Sequence, residues 1–131
     1  MAGTLVANTI NTDTGLFSTN NAYLGIAKAW VNFTGSSGAI NGSFNVSSIT
    51  RNNTGYYTVN FTTAMTNANY TVSAQVGTNG SSMPYSCLFC DTVSSNTQVT
   101  PTTSSFVFST CNSGQNARQE GGICCVSVFG S

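Results

Sequence analysis

The residues in this sequence that could carry chemistry are its cysteines. Cys87 and Cys90 form a Cys-x-x-Cys pair in YSCLFCDTV, Cys111 stands by itself, and Cys124 and Cys125 are adjacent in GGICCVSVFGS. Cysteines in such patterns can bind zinc, form a redox couple, close a disulfide or fill a core. An all-cysteine zinc site usually draws on two short Cys-x-x-Cys knuckles, whereas adjacent residues of a strand point to opposite faces. We therefore expect neither a metal nor another cofactor.

A disulfide and a core position are the two interpretations of these cysteines that stay open. A thioredoxin-like redox motif needs a helix N-terminus to lower the thiol pKa, and the sequence predicts none. Cys111 and Cys124 flank the loop 112–123 at the ends of consecutive predicted strands. If those strands pair, Cys111 could reach Cys124 or Cys125. We predict a disulfide there, with a buried apolar role as the alternative.

Acid–base chemistry has few groups to draw on. The chain contains no histidine, so neither a serine–histidine nor a cysteine–histidine pair can form. Asp13, Asp91 and Glu120 are the only acids, and they are scattered along the chain. Two carboxylates could in principle hydrolyse a glycosidic bond, but solvated loop positions are the simpler interpretation. We expect no enzymatic activity.

Charge is scarce and balanced. Lys28, Arg51 and Arg118 are the only bases, and the formal net charge is zero. Nucleic-acid binding needs many cations to meet the phosphates, and so does a polybasic membrane patch. No stretch is long and apolar enough to span a membrane, and the first residues lack the basic start and apolar run of a signal peptide. We expect synthesis in a cytoplasm, no membrane insertion and no nucleic-acid partner.

Alternation of apolar and polar residues predicts strands rather than helices. Tyr57, Val59 and Phe61 alternate with polar residues in YYTVNFTTA, and YTVSAQV has the same pattern. Clusters of Asn, Gly, Ser and Pro separate these runs. Many short strands of this kind predict an all-β fold, an antiparallel β-sandwich of about eight strands. The predicted strands lie at 2–10, 21–33, 42–50, 56–63, 70–77, 84–92, 97–100, 105–111 and 122–129.

The sequence divides into an arm and one domain. Its 131 residues suit a single domain, which we place at 21–131, after a more polar, extended N-terminal arm at 1–20. Strand 21–33 is apolar on both faces, so both are expected to be covered. A central core strand explains this, and so does core on one side with a neighbouring subunit on the other. The subunit-facing residues would then be Leu24, Ile26 and Trp30.

Six segments spread over nearly the whole chain form a specific series. They are GTLVANTI (3–10), AWVNF (29–33), SFNVSSIT (43–50), YTVNFTTAM (57–65), NANYTV (67–72) and VSVFG (126–130). Together they resemble a domain that recurs in tail-fibre and other small virion proteins of tailed bacteriophages, many of them marine and cyanobacterial. Tyr56 and Thr66 stand where the family pattern often has Asp and Pro. The cysteine-rich last third is unusual for this family.

The resemblance implies a virion protein without a catalytic motif. Together with the doubly apolar strand 21–33, it implies a homotrimer in a phage particle, in contact with other virion proteins. The first functional hypothesis is a tail-fibre or fibre-tip protein that adheres to a host-surface glycan or protein, with avidity raised by multivalency. The second is a capsid-decorating or tail-connecting structural protein that binds no receptor. The third is a carbohydrate-binding module of cellular origin.

Loops at one end of the sandwich are the expected contact surface, because binding residues usually sit on loops of a rigid scaffold. If each strand crosses the sandwich once, alternate loops emerge together, which groups 34–41, 64–69, 93–96 and 112–121. The arm then faces the particle from the opposite end. The loop NSGQNARQEGG concentrates polar side chains, although a solvated loop without a partner would look the same. The receptor-contact candidates are Gln115, Asn116, Arg118, Glu120, Asn41 and Asn67.

Overall fold

The computed structural model of the chain describes residues 3, 9–12, 15–18, 25–80, 85–90, 98–112 and 117–130. Ten strands lie within this part of the chain, and their order along the sequence is the numbering used below. They are β1 Thr9–Thr12, β2 Gly15–Ser18, β3 Ala29–Thr34, β4 Ile40–Phe44, β5 Val46–Asn53, β6 Tyr56–Phe61, β7 Thr71–Val76, β8 Tyr85–Phe89, β9 Ser105–Asn112 and β10 Ile123–Phe129.

Eight of these strands form two antiparallel sheets of four. The first sheet has the order β4-β3-β10-β7, and the second has the order β5-β6-β9-β8. Their buried faces share one apolar core, so the two sheets form a β-sandwich. The predicted fold class, an all-β antiparallel sandwich, is confirmed.

The N-terminal arm is described only in part. β1 and β2 pair with each other in antiparallel register, Thr9 opposite Ser18 and Thr12 opposite Gly15. The rest of the predicted arm 1–20, apart from Gly3, lies outside the described residues, as do residues 21–24 of the predicted strand 21–33.

A sharp corner at Asn45 corrects one predicted strand. The segment 42–50 was expected to be continuous, but it contains the end of β4 and the start of β5, which belong to different sheets. Asn45 adopts a left-handed conformation with φ of 54°, which Asn tolerates better than most residues. Hydrogen bonds of its side-chain amide stabilise the corner, because Nδ2 donates to the carbonyl oxygens of Lys28 and Thr63, both at 3.2 Å.

Two other predicted strands also change. The strand expected at 21–33 begins at Ala29 and ends at Thr34, since residues 25–28 are not extended. At 97–100 a strand was predicted, but the described residues 98–100 carry no strand. The run there is too short and is followed at once by Pro101, which lacks a backbone donor for a ladder.

Aromatic side chains fill the core in two groups. Near one end of the sandwich, the ring centroids of Phe33 and Tyr57 are 5.1 Å apart, and those of Tyr57 and Phe108 are 6.1 Å apart. Near the other end, four rings pack edge to face or tilted. These are Phe61, Tyr70, Phe89 and Phe106. The alternating pattern of β6 predicted its share of this core correctly.

The two ends of the sandwich gather different loops from those expected. At one end the Gly35 amide donates to the Gly122 carbonyl at 3.1 Å, and the Gly122 amide donates to that of Gly77 at 2.8 Å. At the other end Met65 donates to Thr103 at 2.8 Å, next to the Asn45 corner. The predicted grouping of 34–41 with 64–69 is therefore wrong, whereas the described part of 112–121 does lie at the same end as 34–41.

The reason is the corner itself. Because residues 42–50 contain two strands instead of one, the loops at 51–55 and 64–69 and the described part of 78–83 emerge at the end opposite to the one predicted by counting strands. Since residues 98–100 carry no strand, the count is restored before β9, and residues 117–121 lie at the predicted end. The turn at 54–55 and the segment 77–80 consequently share an end with the connection 35–39 and with residues 117–122.

Candidate functional site

The outer face of the first sheet and the segment before β3 carry large apolar side chains that are exposed. The side chains of Phe44, Ile26 and Trp30 are 55%, 60% and 43% exposed. The surface is called the Trp30 face below. Its outward-facing strand residues are Gly42 and Phe44 on β4, Trp30, Asn32 and Thr34 on β3, Ile123, Cys125, Ser127 and Phe129 on β10, and Thr71, Ser73 and Gln75 on β7.

Strand register brings the aromatic residues of this face together. Trp30 lies opposite Phe44 on β4 and opposite Ser127 on β10, so these side chains form one row across the sheet. The indole lies next to Gly42, since a methyl group placed there would be 3.6 Å from Trp30 Cζ3 and 3.7 Å from Cη2. Both distances are ordinary van der Waals contacts, so the ring lies close to the backbone of β4.

A row of amides runs beside the aromatic row. Asn41 Nδ2 donates to Asn32 Oδ1 at 2.8 Å, and Asn32 Nδ2 donates to Cys125 Sγ at 3.3 Å. Gln75 is opposite Cys125 on the next strand. A register shift between Asn32 and Phe33 accompanies the pairing of β3 with β4, and Asn41 joins the row at the edge of the sheet.

A groove adjoins the aromatic row at the Asn45 end. It has a volume of about 330 Å³. Its walls are Ile26, Ala27, Lys28, Phe44, Asn45 and the segment 63–66. Phe44 thus belongs both to the open face and to the groove, which makes the two surfaces continuous.

The Trp30 face is uncharged. None of the four strands that form it contains an Asp, Glu, Lys or Arg. The charged residue closest in sequence to these strands is Lys28, which directly precedes β3 and lines the groove. A ligand of this face therefore meets aromatic rings, amides and hydroxyls.

A second region holds the chain's other charged side chains within the described residues, and we call it the Arg118 corner. It consists of Arg51, Gly55, Tyr56, Thr110 and residues 118–120. Residues 118–120 lie antiparallel to the end of β9. The amide of Gln119 donates to the carbonyl of Thr110 at 2.9 Å, and the Thr110 hydroxyl donates to the carbonyl of Gln119.

The charged side chains of the Arg118 corner bind within the molecule. Arg118 Cζ lies 4.3 Å from the centroid of the buried Tyr56 ring. Glu120 forms an ion pair with Arg51, through both Nε and the guanidinium NH2 group. Gly55 fits tightly beneath them, because an added Cβ would lie 2.6 Å from the carbonyl oxygen of Gln119.

The predicted contact residues are distributed over three places. Asn41 lies on the Trp30 face, and Arg118 and Glu120 lie in the Arg118 corner. Asn67 lies at the opposite end, where its side-chain oxygen accepts a hydrogen bond from the amide of Asn69 at 2.8 Å. Gln115 and Asn116 lie outside the described residues. Receptor contact stays a prediction for all six.

The predicted subunit-interface residues are partly described. Ile26 and Trp30 are both open to solvent on one side of the first sheet, and Leu24 lies outside the described residues. Sequence reasoning missed Asn32, Gly42 and Phe44, because their meeting depends on the pairing of β3 with β4. The short connection 35–39 is the one signal that could have found it, since it favours a hairpin.

The cysteines occupy different environments, and all five are free thiols. β9 pairs with β6 and β8, whereas β10 pairs with β3 and β7, so the strand pairing on which a bridge from Cys111 to Cys124 or Cys125 depended does not occur. Cys124 is buried in the core and Cys125 is exposed. Among the described residues no three His, Cys, Asp or Glu side chains are grouped as metal ligands would be.

Burial dominates the acid–base properties of the core. It raises the pKa of Cys124 to about 12, with further contributions from the neighbouring Cys87 and Cys125. Burial, and next the proximity of Cys124, raises the pKa of Tyr57 to about 12. The pKa of Cys87 is raised by burial and then by Cys111. A neutral thiol is a weak nucleophile, so Cys124 behaves as a small core residue.

Comparisons with known proteins do not assign the chain to a family. No family model, no curated protein and no solved structure matches it. In the described part of the chain, no helix has the length and apolar character needed to cross a membrane.

Proposed function

We propose that this chain is a bacteriophage virion protein of the tail-fibre or fibre-tip kind, which attaches the particle to the host surface through the Trp30 face. The observation that carries the proposal is the row of Trp30 and Phe44, open to solvent on a sheet that a packed core holds rigid. Large exposed apolar groups rimmed by polar ones mark interaction sites on soluble proteins.

Several features of the Trp30 face favour attachment over catalysis. The Trp30 face is flat and uncharged, and aromatic rings supply contact area at low cost in side-chain entropy. A single contact of this size would be weak, and multiple copies on one particle would raise the overall avidity. The six sequence segments that resemble phage virion proteins give the same context.

Self-assembly into a homotrimer is part of the proposal. Ile26 and the groove it lines with Phe44 are apolar and open, as a subunit contact requires before assembly. Trp30 has two candidate uses, a subunit contact or a ligand contact. The amides and hydroxyls beside Trp30 on the sheet favour a ligand contact.

The alternative is a capsid-decorating or tail-connecting structural protein that binds no receptor. The same groove favours it, because an apolar groove 330 Å³ in volume could instead receive another virion protein. In that case the virion proteins are the partners and the host surface is not.

Electron microscopy of intact particles labelled with an antibody against this chain tests the proposal. We expect label at the distal end of tail fibres. Label on the capsid shell or the tail collar would support the alternative, and particles without label would contradict both. Light scattering of the purified protein tests the trimer, which a stable monomer at micromolar concentration would contradict.

A further inference from the structure

We infer that the Trp30 face is a binding site for a neutral oligosaccharide. Trp30 would stack on one sugar ring, and the amide row of Asn41 and Asn32 would bond to the hydroxyls of the same or the next ring. The inference rests on the proposed attachment function and names the ligand class and the residues that recognise it.

The stacking surface is the indole of Trp30. The Cζ3–Cη2 edge of its benzo ring lies next to Gly42, close enough that a methyl group added there would contact it, and 43% of the residue is exposed. The exposed part of the ring is the surface offered to a ligand. A sugar ring presents C–H groups on one side, and the negative face of an aromatic ring attracts such positively polarised hydrogens.

The hydrogen-bonding groups lie one row away from the indole. Asn41 is exposed, and its bond to Asn32 takes only one N–H of its amide. A side-chain amide has two N–H donors and an oxygen acceptor, which suits vicinal hydroxyls that both donate and accept. Because Asn32 accepts from Asn41 and donates to Cys125, the orientation of both amides is fixed before a ligand arrives.

The lack of charged residues in the strands of this face favours a neutral ligand. The four strands bear no charged residue, so a phosphate or uronate group placed there would lose hydration without gaining a counter-charge. Burying an unpaired charge in this way is unfavourable, whereas a neutral hydroxyl can exchange water for an amide or a serine.

A second copy of the chain fits this face less well than a sugar. The aromatic row continues from Phe44 and Trp30 through Ser127 and Ser73, and the amide row separates it from the exposed Ile123. A flat protein partner would leave these hydroxyls and the amide row buried without matched partners, at a cost in free energy. The groove beside Ile26 lacks this row and stays available for self-association.

Trp30 is the only tryptophan in the chain, so its fluorescence reports directly on this site. The probes are maltohexaose, cellohexaose and mannohexaose, which are neutral, with polygalacturonate as an anionic comparison. We expect at least one neutral probe to produce a saturable change in emission, and Asn41→Ala to weaken that binding roughly tenfold. Trp30→Ala, followed by saturation-transfer NMR because it lacks the fluorophore, should abolish the ligand signal.

Leu88→Ala is the matched control, because Leu88 is equally exposed but lies on β8 of the other sheet. It should bind as the wild type does, and circular dichroism confirms that each variant is folded. An absence of response to all three neutral probes at millimolar concentration overturns the inference. Stronger binding of polygalacturonate than of the neutral probes also overturns the inference. An emission change that depends on protein concentration and not on the sugar overturns it as well, and would assign the face to contact with a second copy of the chain.

Failure of the site and failure of the proposed function give different results. If particles carry the chain on their fibres and Trp30→Ala leaves adsorption unchanged, the sugar site is wrong and attachment occurs elsewhere on the chain. If the purified protein binds a neutral oligosaccharide through Trp30 but the chain lies on the capsid shell, the site is correct and the fibre assignment is wrong.

Discussion

The Trp30 face and the Arg118 corner use their side chains in opposite ways. In the Arg118 corner, Arg118 stacks on Tyr56 and Glu120 pairs with Arg51. On the Trp30 face, the largest side chains remain exposed.

The difference shows that local polarity is a poor guide to a binding surface in this chain. The polar loop after β9 is the more suggestive region in the sequence, yet its described charged groups hold the fold together. Trp30 lies in the segment 21–33, which is apolar on both faces in the sequence pattern and resembles core, yet the residue is exposed. What distinguishes the regions is whether a side chain finds an intramolecular partner.

The largest expected difference between the regions concerns two glycines. Gly55 in the Arg118 corner has a φ of 61°, and an added Cβ would lie 2.6 to 2.8 Å from backbone atoms of residues 110 and 119. Gly55→Ala should lower the free energy of unfolding by about 2–4 kcal/mol. Gly42→Ala on the Trp30 face places its methyl at ordinary contact distance and should change it by less than about 0.5 kcal/mol.

Urea denaturation of both variants measures this difference. Equal losses of stability in the two variants would mean that the backbone packs no more closely around Gly55 than around Gly42, which would contradict the contrast between the two regions.

Sequence patterns predicted the sandwich because alternation in strands such as β6 records directly which face is buried. They did not predict the corner at Asn45, because apolar and polar residues alternate on both sides of it and the left-handed backbone of one Asn decides the crossing. Nor could they place Asn41 beside Asn32 or Arg118 over Tyr56. Those contacts depend on strand register and on a turn whose geometry is set by tertiary packing.

Alkaline pH should destabilise the core behind the Trp30 face. Burial raises the pKa of Cys124 from 9.0 to about 12, so above pH 9 the unfolded thiol loses its proton while the folded one keeps it. The folded state then binds more protons, and stability falls as pH rises, by up to about 1.4 kcal/mol per pH unit between the two values.

Chemical denaturation between pH 8 and 11 in wild type and Cys124→Ala checks this expectation. The variant should be less stable at pH 8, because it leaves a small cavity, but its stability should fall less steeply with pH. Val76→Ala, a change at a neighbouring position without a titrating group, should retain the wild-type slope. Parallel curves for wild type and Cys124→Ala would contradict the assigned pKa shift.

Each side-chain contact of the Arg118 corner should contribute only modestly to the free energy of unfolding. Arg118→Ala removes the contact with the Tyr56 ring and should cost about 0.5–1 kcal/mol of stability. Glu120→Ala breaks an ion pair whose side chains are 37% and 21% exposed, so its effect should be below about 1 kcal/mol and should shrink in high salt. Thermal unfolding at low and high ionic strength measures both. An Arg118→Ala variant as stable as the wild type, or a loss in Glu120→Ala that is as large in high salt as in low salt, would contradict these assignments.

Thiol labelling should distinguish the two adjacent cysteines without a large change in stability. Cys125 lies on the Trp30 face and is exposed, whereas Cys124 is fully buried. Mass spectrometry after brief treatment of the native protein with iodoacetamide should find the label on Cys125 and none on Cys124. Label on Cys124 at the same rate would mean that the sheet opens readily, and Cys125→Ser should remove the rapid reaction.

Binding of the purified protein to host cells tests the central claim most directly. Wild type, Trp30→Ala and Arg118→Ala, each detected through a C-terminal tag, are compared on the bacterial cells to which the particle would attach under the proposed function. The account predicts that Trp30→Ala loses most of the binding while Arg118→Ala retains it. Retained binding in Trp30→Ala together with loss in Arg118→Ala would contradict it, and would place the contact surface at the loop after β9.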